Sequence, residues 1–238
     1  MLRAAVALAD DVGLESLSMR RLAEDLAVVP MAIYKHIANK DELLDAMVAT
    51  LIGEIDPPAA EQDWKGAVRR RVLSARQALQ RHPWARRALE SRTNKTPAVL
   101  DYMDSVAGMF LAGGFSVDLT HHVMHALGGR MWGFTQELFD DAGGPTAESP
   151  AEVSPEARSA MLVQMAARYP NIVAIAGSMD HDAGSVVGRG CDDQFEFEFA
   201  LDLLLDGFER LHQQGWSSTG AKQDGTRDRD QAGPHLPR

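Results

Sequence analysis

Apolar positions along the chain recur with the 3.6-residue period of a helix, and capping residues mark where helices start and stop. An amphipathic segment from Leu2 to Val12 ends at Gly13. Ser18 stands where its hydroxyl can accept a free backbone N–H of a first turn, and Leu22, Ala23 and Leu26 fall on one face behind it. Ala27-Val28-Val29 is a short link. Pro30 suits the first turn of a new helix, where its missing N–H costs nothing. That helix is expected over 30–37, with Ile33 and Ile37 turned inward and Met31, Ala32, Tyr34, Lys35 and His36 left outside. Asn39 caps a third helix from Lys40 to about Glu54, striped by Leu43, Leu44, Met47, Leu51 and Ile55.

Asp56-Pro57-Pro58-Ala59-Ala60 breaks the pattern. Beyond it the spacing predicts helices over about 63–81, 84–91, 97–112, 116–140, 155–169 and 192–213. His82-Pro83, Gly113-Gly114, a loop at 143–154 and a flexible loop at 180–190 separate them. Residues 215–238 have few apolar side chains and many Gly, Asp and Arg, the composition of a disordered tail. The expected fold class is all-α: a three-helix head over 1–56, a larger helical domain over 57–214, and the tail.

Two helices carry more apolar surface than one core can use. Segment 194–211 alternates like a strand in its first half. Ala200, Leu201, Leu204, Phe208 and Leu211 nevertheless share a helix face, and no partner strand is readable elsewhere, so a helix is expected. It is apolar nearly all the way round, and a second apolar side needs a second partner. Segment 116–140 shows the same excess, with Gly128, Gly129 and Gly133 allowing close helix approach. Two such helices from each of two subunits would form a four-helix interface; a single thick core is the competing reading.

With 238 residues and 45% apolar content, the chain can form one large domain or two smaller ones. No apolar run approaches the roughly 20 residues of a membrane span, and no signal-peptide pattern opens the chain, so a soluble cytoplasmic protein is expected. Cys191 is the single cysteine, which excludes an intrachain disulfide and leaves a redox-sensing thiol open. There is no CxxC, phosphate loop or HExxH, and no nucleophile–base pair or paired carboxylates stand out, so enzymatic chemistry is not indicated. The net charge of −10 is unlike that of a typical nucleic-acid binder. The bases are localised, however: segment 18–40 holds four Lys/Arg against Glu24 and Asp25. Such an edge can contact phosphate while the acidic remainder faces away, with modest non-specific affinity.

Two short helices joined by a tight link are the arrangement that lays a helix into the DNA major groove. The matching register here is longer. Leu17-Ser18-Met19-Arg20-Arg21-Leu22-Ala23, Leu26-Ala27-Val28, Ile33-Tyr34-Lys35-His36 and Asn39-Lys40-Asp41-Glu42-Leu43-Leu44-Asp45-Ala46 together resemble the DNA-binding domain of the TetR family of transcriptional regulators. Trp64, Gly114-Phe115-Ser116 and segment 194–211 resemble the tetracycline-repressor-type C-terminal domain. The resemblance implies a homodimeric repressor that binds a palindromic operator in double-stranded DNA and is released by a small organic inducer. Members usually carry a short, often basic segment ahead of the first helix. This chain opens inside that helix, so its head is expected to be N-terminally short. The implied DNA contacts are Ser18, Met19, Arg20, Pro30, Met31, Ala32, Tyr34, Lys35, His36 and Lys40. Arg20 matches a base-reading arginine of the tetracycline repressors, and Lys40 is expected on phosphate.

Segment 65–95 holds ten Lys/Arg and one acid, Glu90, most of it expected as a solvated face. Arg71 falls beside the stripe of Trp64, Val68, Val72, Ala75 and Leu79. A lone arginine facing a core must meet an acid, a carbonyl or a ligand. It also matches a position where tetracycline repressors hold the drug with an Asn, which implies an organic ligand, expected to be anionic. Ala75 and Leu89 stand where those repressors have an aromatic contact and a metal-ligating His, and only Glu137 matches an acid near their metal. A tetracycline–magnesium site is therefore not expected. Tyr102, Met103, Met109, Phe110, His121, His125, Arg130, Trp132 and Gln136 are candidate ligand contacts, with core packing as the competing reading of each. His121 and His125 share a face but lack an evident third ligand, so neither metal nor cofactor is expected. The alternative function is a redox-sensing or architectural DNA-binding protein without an inducer.

Overall fold

A computed structural model describes residues 1–58, 63–91, 95–132, 155–177 and 193–220, and among these no strand occurs. The helices follow in order: α1 (Leu2–Ser16), α2 (Met19–Asp25), α3 (Pro30–Tyr34), α4 (Lys40–Gly53), α5 (Trp64–Arg81), α6 (Trp84–Glu90), α7 (Pro97–Ala112), α8 (Val117–Trp132), α9 (Pro155–Arg168), α10 (Pro170–Gly177) and α11 (Asp193–Gln213). Among the described residues no helix is long and apolar enough to cross a membrane.

Local chemistry sets most of these boundaries. Gly13 breaks α1 with φ 77°, a conformation glycine adopts without a Cβ penalty. Ser18 Oγ accepts the Arg21 N–H at 3.2 Å, as its sequence position implies. The link turns through Ala27 at φ 53°, a left-handed residue that costs a non-glycine about 1 kcal/mol. Helix α3 is shorter than the expected 30–37. Asn39 Oδ1 already accepts the Glu42 N–H at 2.8 Å, and Glu42 Oε2 accepts the Ala38 N–H at 2.7 Å. This reciprocal cap of α4 pulls the chain off the helical path before residue 38. Leu17, Leu22, Ala23, Ile33, Ile37, Leu43 and Met47 join Ala5, Val6 and Ala9 in the core of the head.

The chain divides into two compact units, residues 1–133 with 201–238, and residues 134–200. In the first, Asp63 caps α5 by accepting the Gly66 N–H, and Ser116 caps α8 by accepting the Leu119 N–H. Val68, Val72 and Ala75 of α5, Val106 and Phe110 of α7, Leu119, Val123 and Leu127 of α8, and Leu201, Leu205 and Phe208 of α11 are buried. Trp64, Phe110 and Phe115 form a ring cluster with centroids 4.7–5.6 Å apart, and His212 stacks on Phe115 at 4.3 Å. At the end of α7 a Cβ on Gly113 would lie 2.7 Å from Trp64 Cβ and Cγ. Gly113→Ala is therefore expected to lower unfolding free energy by about 1–3 kcal/mol, read by denaturant titration. An unchanged midpoint would mean that the indole seat is slack.

In the second unit α9 and α10 pack together. Helix α10 is not among the elements that apolar spacing predicts, because a proline directly after helix 155–169 reads as a stop. Proline also fits a first helical turn, and here it opens α10 one residue after Tyr169. Segment 193–213 is helical, as the absence of a partner strand implied. Residues 215–220, assigned to the tail, are instead ordered against α8. The Ser218 N–H and Oγ donate to the Asp118 carboxylate at 2.7 and 2.8 Å, which holds its pKa below the usual value. The expected loops at 143–154 and 180–190, the rest of segment 116–140, Cys191 and residues 221–238 lie outside the described residues.

Candidate DNA-reading surface and regulatory core

Helices α2 and α3 present a mixed basic and apolar face. Met31 is 68% exposed; Tyr34, Lys35 and His36 are exposed with it, and Ala32 is half-buried. Only Ile33 and Ile37 tie this short segment to the core. Arg20 stands out at the start of α2, its Nε 2.9 Å from Glu24 Oε1 in an exposed i,i+4 pair. Such a pair is worth little in water, so a phosphate or guanine edge can compete for the guanidinium. Val28 and Val29 are exposed ahead of the exposed Pro30 and extend this surface. The sequence pattern marks this link only as a connector, so the two valines add to the expected contacts. The available signal was a pair of β-branched residues directly before a helix-opening proline.

Two expected contacts fall away from this surface. Met19 is buried under α2, because the first residue after the Ser18 cap points into the head. Lys40 is not set for phosphate: its Nζ donates to the carbonyls of Leu17 at 2.7 Å and Leu14 at 3.4 Å. It thereby ties the end of α1 and the chain leading to α2 to the start of α4. Ser18 is exposed, but its Oγ is engaged in its own helix cap.

Behind the head, the basic run of α5 and α6 is tied to acids, most of them distant in sequence. Lys65 lies 2.6 Å from Asp206 and 2.7 Å from Glu209, and these bonds push its pKa up to about 12. Arg69 meets Asp202 at 2.6 Å, Arg81 meets Glu54 at 3.0 Å, Arg86 meets Glu90 at 2.9 Å, and Arg87 is paired with Glu15. Arg70, Arg81, Arg86, Arg87 and Lys95 are exposed, so the solvated face holds for about half of the run, while the ion pairs offset much of its excess charge. Exposed Arg70, like Lys95, has no acid partner among the described residues. With Arg69 it lines an open groove of about 420 Å³ between α5 and Asp56, bounded by Gly66, Leu73, Ser74 and Gln77.

Arg71 is buried without a carboxylate partner among the described residues. Its Nη1 donates to the carbonyls of Ile55, at 3.2 Å, and Asp56, and its guanidinium carbon lies 4.9 Å from the Tyr102 ring centroid. Ser74 Oγ accepts the Asp56 N–H at 2.8 Å. Helix α5 thus grips the chain as it leaves α4. Burial pushes the Tyr102 hydroxyl up to about 12, against the opposing Arg71 charge, so the phenol stays protonated. Arg71 Nε, Ser105 Oγ and Thr120 Oγ1 are buried with no hydrogen-bond partner among the described residues, one atom on each of α5, α7 and α8.

The other expected ligand contacts divide. Tyr102 is buried and Met103 half-buried on α7. Phe110 is not a pocket wall: it is fully buried among Trp64, Phe115 and Phe208. His121 and His125 are exposed on the outer side of α8, ring against ring at 4.7 Å, because Leu119, Val123 and Leu127 take the inward face. The side chains of Arg130 and Trp132, and all of Gln136 and Glu137, lie outside the described residues.

A capped helix–link–helix head with an exposed basic and apolar face, joined to a larger helical core, defines a helix-turn-helix DNA-binding regulator. The sequence comparisons give the family. The profile described as "Bacterial regulatory proteins, tetR family" matches residues 1–47, and that of the "Tetracyclin repressor-like, C-terminal domain" matches residues 57–212. The chain belongs to the TetR family of transcriptional regulators. It is 30% identical to the HTH-type transcriptional repressor DrrR1 of Streptomyces coeruleorubidus, over 89% of this chain and 76% of that one. The structure of the transcriptional regulator SCO7222, a TetR from Streptomyces coelicolor, superposes with TM-score 0.64 at 29% identity, covering 89% of this chain and 96% of that one. ActR of Streptomyces coelicolor, in complex with actinorhodin, shares the fold with TM-score 0.61 at 23% identity, over 88% and 94% of the two chains.

Proposed function

We propose that this chain is a repressor that binds a near-palindromic operator as a homodimer and is released by a small, mostly apolar organic molecule. The observation that carries the DNA reading is the outer face of α2–α3: Met31, Tyr34, Lys35 and His36 exposed beside Arg20 on a rigidly capped head. Helix α3 enters the major groove. Arg20 reaches a base edge, Met31 and Ala32 lie near thymine methyls, and Tyr34, Lys35 and His36 reach phosphates or base edges. Val29 adds apolar contact at the same edge.

Arg20→Ala is expected to cost about 1–3 kcal/mol of operator binding and to relax preference at one base pair. Protein–DNA selection followed by sequencing, run on wild type and variant, measures both. Equal weakening on specific and random DNA would make Arg20 a phosphate contact.

Dimerisation is supported by α11, where Phe195, Phe199 and Leu203 form an exposed stripe at i, i+4 and i+8, 60%, 54% and 57% exposed. Paired across a two-fold axis, two heads would read half-sites about 34–36 Å apart, or a multiple of one DNA turn. The described part of α8 contributes less apolar surface than its composition suggested, since His121, His122 and His125 lie outward.

The ligand reading rests on the buried, unpartnered Arg71 Nε, Ser105 Oγ and Thr120 Oγ1 among apolar helices. An uncharged molecule with a carbonyl or ether oxygen would meet such groups. ActR, of the same fold, is complexed with actinorhodin, an organic molecule. Head over 1–56, regulatory domain from 57, and action in the cytoplasm complete the proposal.

A further inference from the structure

His82 lies where the head meets the helices behind it, at the corner between α5 and α6, and its ring is buried. Nδ1 is 2.8 and 3.1 Å from the two carboxylate oxygens of Asp10 on α1. Nε2 is 3.2 and 3.1 Å from those of Glu54 at the end of α4. Trp84 Nε1 of α6 also donates to Asp10, at 2.7 Å, and Arg81 of α5 donates to Glu54 at 3.0 Å. The charged groups facing the ring are thus two carboxylates and one guanidinium already bound to one of them; the Arg87–Glu15 pair ties α6 to α1 nearby. A neutral imidazole has one N–H and one lone pair. It can satisfy one carboxylate but sets its lone pair against the other. Only the imidazolium donates to both.

We propose that His82 is a proton-operated latch. Charged, it fastens both α1 and the end of α4 to the α5–α6 corner; on losing its proton it releases one of them and loosens the head. The latch stands on this geometry alone, while its effect on operator binding rests on the DNA-binding reading above. Burial opposes the charged ring, but the hydrogen bonds to Asp10 and Glu54 outweigh it, so the pKa lies above the ordinary 6.5. Burial also acts to raise the Glu54 pKa, but bonds from Arg81 and His82 hold it below its usual value. The sign follows: the stabilisation is fully present below the unfolded pKa of 6.5 and is lost as pH rises through the raised folded value.

The test uses the full-length protein. The His82 ring is titrated by NMR, and amide protection in α1 and α4, corrected for intrinsic exchange, is compared at about pH 6 and about pH 8.5. The expected results are a midpoint above 6.5 that falls in Asp10→Asn, and protection that drops by about fivefold in wild type but not in the pH-indifferent His82→Gln. Operator affinity should weaken by a similar factor over that range in wild type. Comparison with His82→Gln removes the contribution of every other group. A His82 midpoint at or below 6.5, or equal pH responses in wild type and His82→Gln, overturns the latch. If His82→Gln does not fold, Glu54→Gln serves in the same comparison. If no operator binds at any pH while ring and amides respond as expected, the DNA reading fails and the latch stands.

Discussion

The double variant Phe199→Glu/Leu203→Glu is expected to be a folded monomer that has lost operator binding. Both side chains project from α11 more than half exposed, while Phe197, Leu201, Leu205 and Phe208 of the same helix are buried. Each large apolar group buried at an interface contributes about 1.5–3 kcal/mol, and a two-fold seam uses each twice. Placing carboxylates there should raise the dimer dissociation constant by a thousandfold or more, since about 1.4 kcal/mol is a factor of ten. A monomer reads one half-site only, so operator affinity should fall towards the non-specific level. Light scattering and fluorescence anisotropy on labelled operator measure the two effects. The choice of residue matters: Leu204, which helical periodicity also marks, is half-buried, so a charge there would confuse dissociation with unfolding. A double variant that remains dimeric would place the interface elsewhere.

Arg71→Met is expected to lower unfolding free energy by about 2 kcal/mol and to uncouple ligand from DNA. Two terms compete. Methionine removes a buried charge that has no carboxylate partner among the described residues, which favours the variant. It also strips the bonds to the Ile55 and Asp56 carbonyls and the contact with Tyr102. Asp56 is exposed, so water can replace that partner; Ile55 is buried, and an orphaned buried carbonyl costs about 1–3 kcal/mol. The lost bonds win. Arg71 joins the regulatory helices to the end of α4, so its loss should leave DNA binding in ligand-free protein but weaken release by an inducer. Linkage makes this measurable in either direction: a ligand lowers DNA affinity only as far as DNA lowers ligand affinity. Unchanged stability with full inducer response would reduce Arg71 to packing.

What the sequence determined by itself is what local chemistry controls. Ser18, Asn39, Asp63 and Ser116 accept N–H groups three residues ahead, Gly13 takes a positive φ, and apolar spacing marks the buried faces of α4, α5 and α11. These are interactions within a few residues, so the order of the helices other than α10 and the outward position of Met31, Tyr34, Lys35 and His36 could be read from the chain. Tertiary structure decided which polar group meets which. Lys40 turns back to Leu14 and Leu17, Arg71 clamps Ile55 and Asp56, and Lys65 and Arg69 reach acids on α11 that lie over 130 residues away. It also put His121 and His125 outside and Phe110 at the centre of the ring cluster. The physical reason is range. A cap or an apolar stripe is fixed by neighbours at set spacing, whereas a long charged side chain takes whichever partner the packed helices bring within about 3 Å, and no local pattern records that partner.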